Sequence, residues 1–133
     1  MLKAYRVARA IVVAVAAGVA AGCAHSTSTA HEASLRETRE HYQRTLDLGS
    51  LQTLASHLRL GMSKATVEGL LGPGLCVVQG REFPGSQCRY ESGHQQHGFT
   101  VALQVDYHYF SPETRDDVYT GRVERYFLGP IAE

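Results

Sequence analysis

Leu60-Gly61-Met62-Ser63-Lys64-Ala65-Thr66-Val67-Glu68-Gly69-Leu70-Leu71-Gly72-Pro73 carries its own start, face and stop. Ser63 is a natural helix N-cap, because its hydroxyl oxygen can take a backbone N–H that the first turn leaves unpaired. Val67, Leu70 and Leu71 fall at i, i+3 and i+4, which gathers them on one face. Gly72 suits the left-handed residue just past a helix end, and Pro73 prevents continuation. The stretch therefore predicts a helix of two to three turns with one buried face.

Downstream of it the pattern changes period. Phe99, Val101, Leu103, Val105, Tyr107 and Tyr109 alternate with Thr100, Ala102, Gln104, Asp106 and His108 as far as Phe110. Period two predicts an antiparallel strand with one face on a core. Gln87–Ser92 reads as a short strand before it, and Gly93–Gly98 as a polar connection. Ser111–Asp117 reads as a long turn, extending as far as Gly121. Arg122–Leu128 reads as the last strand, with Val123 and Phe127 inward and Arg125 out of place between them. Gly129-Pro130 is then the end of the domain.

Upstream, Leu51, Leu54 and Leu58 share a face of a second short helix, which Ser50 can cap after the Gly49-Ser50 break. Glu32–Leu48 reads as a charged helix with Leu35, Tyr42 and Leu46 near one stripe, and with Arg36–Glu40 and Glu40–Arg44 as i,i+4 pairs. A sheet with one apolar face needs a cover, and short helices supply it. The expected fold is α+β in two layers: two short helices packed on a three-stranded antiparallel sheet.

The amino terminus decides where such a domain would live. Lys3, Arg6 and Arg9 precede an uncharged apolar run, Ala10–Ala21, which is too short for the roughly 20 residues of a membrane-spanning helix. A basic start, an apolar run and small residues describe a secretory signal peptide. Ala20-Ala21-Gly22-Cys23 resembles the bacterial lipobox. That resemblance implies cleavage before Cys23, a diacylglycerol on its thiol and an acylated new amino terminus. Two or more acyl chains hold a protein stably on a membrane. Ala24 rather than Asp after the cysteine implies, by the same resemblance, the outer membrane facing the periplasm. The organisation expected is a signal peptide at 1–22, a flexible tether of small polar residues at 23–31, a helical lead-in at 32–49 and one domain at 50–133.

Thirteen Lys and Arg balance thirteen Asp and Glu, and the leader takes three cations with it. The mature chain is mildly acidic and has no basic patch, which argues against a nucleic-acid partner. With Cys23 lipidated, Cys76 and Cys88 remain as a pair in an oxidising compartment. Compartment and parity favour a disulfide between them over the alternative of two buried free thiols.

No Gly-x-Ser-x-Gly elbow and no phosphate-binding loop occurs, so no enzyme and no cofactor is expected. His94 and His97 lie three apart, but a zinc site needs three or four protein ligands and no third is evident, so no metal is expected. Tyr90, Tyr107, Tyr109 and Tyr126 either fill the core with their hydroxyls toward water or face a partner. Gln104, Asp106 and Phe110, on the other face of the long strand, form the candidate interface.

Gly61-Met62-Ser63, Val67, and Leu70-Leu71-Gly72-Pro73 are similar to the signature of the SmpA/OmlA family of bacterial outer-membrane lipoproteins. The resemblance covers about residues 50–128 together with the lipobox. It implies a helix–helix–three-strand fold like that of β-lactamase inhibitory proteins. It also implies a non-enzymatic envelope protein with a protein partner, among them the machinery that inserts β-barrels into the outer membrane. The helical lead-in, the long turn at 111–121 and the cysteine pair depart from the barrel-assembly member of that family. Two other functions fit the same fold. A small-ligand or lipid-binding module would line a hollow with Leu54, Leu70 and Leu103. An inhibitor of a periplasmic enzyme would present the loop at 111–121.

Overall fold

The computed structural model describes residues 20–77 and 86–132. The apolar leader expected at 10–21 lies outside them except for its last two residues, as does the segment with Gly80, Pro84 and Gly85. Helices α1 (Ala20–Thr45), α2 (Leu48–Ala55) and α3 (Lys64–Leu71) precede strands β1 (Leu75–Val77), β2 (Gln87–Gln96), β3 (Phe99–Asp106), β4 (His108–Ser111), β5 (Asp116–Tyr119) and β6 (Arg125–Ile131). The class is α+β, as expected. The sheet has four strands in the order β1-β2-β3-β6, not three, and β4 and β5 form a separate two-stranded sheet. The two expected short helices are α2 and α3, and the expected helical lead-in is part of α1.

Helix α3 follows its sequence closely. Ser63 accepts the Thr66 N–H at 3.2 Å, and Gly72, at φ 85°, donates its N–H to the Glu68 carbonyl. The preceding Gly61-Met62 has a tertiary purpose. Gly61 donates to the Val123 carbonyl and Val123 donates back to Met62, both at 2.8 Å, tying the helix entry to the run into β6.

Helix α1 differs from the expectation. Its described part runs from Ala20 through Cys23, so residues 24–31, expected as a flexible tether, are helical. Short polar residues give no apolar period, but they do not forbid a helix that is continuous with a packed one. The packed part is Leu35 and Tyr42, which join the core, so this helix is built into the domain. It ends at Leu46, which takes φ 54° while donating to the Tyr42 carbonyl. Asp47, not Ser50, caps α2: its carboxylate accepts both the N–H and the hydroxyl of Ser50, at 2.7 and 2.9 Å. Gly49 therefore lies inside α2, and the break, at Leu46-Asp47, falls three residues earlier than Gly49-Ser50 suggested.

The core gathers Leu51, Leu54 and Leu58 of the α2 segment, Val67 and Leu71 of α3, Cys88, Tyr90, Leu103 and Val105 of the sheet, and Tyr107 just past β3. Cys76 and Cys88 face each other across β1 and β2 and form a disulfide. Beta2 does not stop at Ser92. It continues through a register shift between Glu91 and Gln95 into a two-residue turn at His97-Gly98. Both turn residues have positive φ, 54° and 82°, the geometry that matches strand twist in a tight hairpin.

The long alternation is broken at Tyr107. Val101, Leu103, Val105 and Tyr107 are buried as expected, while Phe99 and Tyr109 at the two ends are exposed. Past Tyr107 the chain leaves the main sheet as β4, so Tyr109 has no core beneath it. The turn after β4 is shorter than expected, since β5 begins at Asp116. Beta6 begins later and contains Gly129-Pro130, which do not end the domain. Val123 is buried, but Phe127 is exposed and corrects the inward assignment.

Candidate interaction surface

Three cross-strand rows organise the outer sheet face: Leu75, Arg89, Gln104 and Phe127; Gln87, Asp106 and Arg125; and Glu91, Ala102 and Gly129. Asp106 is 1 % exposed, a burial that a carboxylate sustains only when it is paired and hydrogen-bonded. Arg125 supplies both, with Nη2 at 2.6 Å and Nε at 2.8 Å from one carboxylate oxygen. Gln87 and Gln104 donate their side-chain amides to the other oxygen at 2.8 and 3.1 Å. Arg125 is therefore the partner of Asp106 and not a misfit in its strand. The pairing was partly legible, since an outward Asp on one strand asks for a cation on its neighbour, but the register was not.

The candidate interface residues do not form one patch. Asp106 is buried and Gln104 half-buried, both engaged in that cluster. Phe110 is 61 % exposed and stands on the β4–β5 hairpin, opposite Asp117. Tyr109, missed as a surface residue, is exposed beside it. His108, Tyr109, Phe110, Asp117, Glu124 and Arg125 line a groove of about 410 Å³. It offers two aromatic side chains between a guanidinium and two carboxylates. Arg125 thus links the buried cluster to the groove.

The tyrosines divide by position. Tyr42, Tyr90 and Tyr107 are buried. Tyr42 donates its hydroxyl to the Glu91 carbonyl at 2.6 Å, and burial, then Glu91, push its pKa up to about 12. Burial pushes Tyr90 and Tyr107 up as well, and the Tyr107 ring lies under Lys64 Nζ at 5.8 Å. Tyr109, Tyr119 and Tyr126 are exposed. Core filling explains the first group and leaves the second for the surface.

Leu54 and Leu103 are fully buried in packed core, while Leu70 lies half-buried in a surface groove between α1 and α3. The three do not meet around one hollow. Among the described residues no three His, Cys, Asp or Glu side chains come together for a metal, and no helix is long and apolar enough to cross a membrane. Cys23 lies near the beginning of the described part of α1.

No protein-family model, curated protein or solved structure matches this chain.

Proposed function

We propose that this chain is an SmpA/OmlA-type lipoprotein, anchored through Cys23 to the outer membrane and facing the periplasm. Its work is to bind another envelope protein in outer-membrane assembly or integrity, with the barrel-insertion machinery as the first candidate partner. Exposure of Tyr109 and Phe110 beside the Arg125-lined groove carries the interaction reading. Aromatic residues and arginine are the side chains most enriched at binding surfaces, and charge at the rim sets register and specificity. The lipobox, the signature at Gly61–Pro73 and the disulfide support an exported lipoprotein. No catalytic role is proposed for any residue.

Affinity purification of the tagged full-length chain from gently solubilised membranes tests this function. Barrel-assembly components should co-purify with the wild type and be lost with Cys23→Ser. Recovery of the lipoprotein alone would refute it.

A further inference from the structure

His31 and His57 come from different elements and meet. His31 stands on α1, where residues 24–31 are helical, and His57 follows the end of α2. Their ring centres are 5.5 Å apart, with the ring planes tilted by 58°. Buried neighbours fix both places. Leu58, beside His57, is fully buried, and Leu35, one helical turn after His31, packs against the core. The rings themselves lie at the surface, His31 exposed and His57 half-buried. Among the described residues no side-chain hydrogen bond or ion pair engages either ring.

Neutral imidazole is the commonest protein ligand for a metal ion. An ion about 2 Å from one nitrogen of each ring stands about 3 Å from each ring centre. Centres that share one ion are then roughly 4.5 Å apart at adjacent corners of a square and roughly 6 Å apart at opposite ones. The observed 5.5 Å falls between these limits, within reach of a rotation of the exposed His31 side chain. The donors choose the ion. Zinc sites take three or four protein ligands, and two are present here. Cu²⁺ binds nitrogen donors more tightly than the other divalent first-row ions and accepts a tetragonal shell of nitrogen and oxygen.

We propose that His31 and His57 bind one Cu²⁺ ion, with water in its remaining positions, and that the ion clamps α1 to the end of α2. This inference is independent of the proposed envelope partner, whose groove lies on the hairpin.

The test uses the full-length chain in detergent, with histidine ring carbons labelled for magnetic resonance. Substoichiometric Cu²⁺, being paramagnetic, should broaden the His31 and His57 ring signals together, ahead of the other histidines. His57→Phe keeps an aromatic ring against His31 and removes the ligand nitrogens. It should weaken Cu²⁺ binding at least tenfold and abolish the selective broadening of His31, while leaving the metal-free far-ultraviolet dichroism unchanged. An ion that binds only the folded chain stabilises it, so Cu²⁺ should also raise the thermal midpoint of the wild type more than that of His57→Phe. Even broadening across all seven histidines, broadening led by His94 and His97, or equal affinity in His57→Phe would overturn the inference and leave a packing contact between two rings.

Discussion

Asp106 and Arg125 set the energetics at the scale of single residues. The carboxylate is buried and takes four donors, while the arginine is largely exposed at its far side. Arg125→Ala leaves a buried charge held by two neutral amides, so urea unfolding should show a loss of about 1–3 kcal/mol. Arg125→Lys should recover only part of it, because lysine cannot offer two parallel donors. Tyr42 gives a pH signature of opposite reach. Its folded pKa, about 12, lies above the ordinary tyrosine value, so its contribution is intact below pH 10 and is lost as pH rises through 10 to 12. Burial moves Tyr90 and Tyr107 in the same direction. Thermal melts should fall across that window, and Tyr42→Phe should make the fall shallower.

Among the elements, α3 was the most legible, because its cap, face and stop are all local chemistry. What the sequence concealed depends on distant partners. The strand period could not say that the sheet ends at Tyr107, since Tyr109 and Phe110 keep the alternation after the core has run out. His97-Gly98 looked like part of a loop because only positive φ at both positions makes it a tight turn. Asp47 hid behind the more familiar Gly49-Ser50 break. Of the candidate interface, Phe110 was legible as an apolar residue out of phase with the core. Asp106 was not, because its burial follows from Arg125, Gln87 and Gln104 converging across three strands. The Cys76–Cys88 bridge ties β1 to β2, with a sequence separation of 12. Replacing both cysteines by serine should cost about 3 kcal/mol in the chain-entropy account, read by denaturant midpoints with and without reductant on the wild type.

For the whole molecule, the proposed anchor and the proposed groove belong to one design. Helix α1 carries Cys23 and also plants Tyr42 in the core. A helix rises about 1.5 Å per residue. On the proposed reading, this makes the link between lipid and domain a stalk of fixed length and not a loose tether. The hairpin groove would then be presented to the periplasm at a set height. The most direct test is site-specific photocrosslinking from position 110 in intact cells, with position 37 on the exposed face of α1 as the reference. A single adduct with a barrel-assembly protein from position 110, absent from position 37 and absent in the Cys23→Ser background, is predicted. No adduct from position 110, or the same adduct from both positions, would contradict the claim that this lipid-anchored domain works through its β4–β5 hairpin.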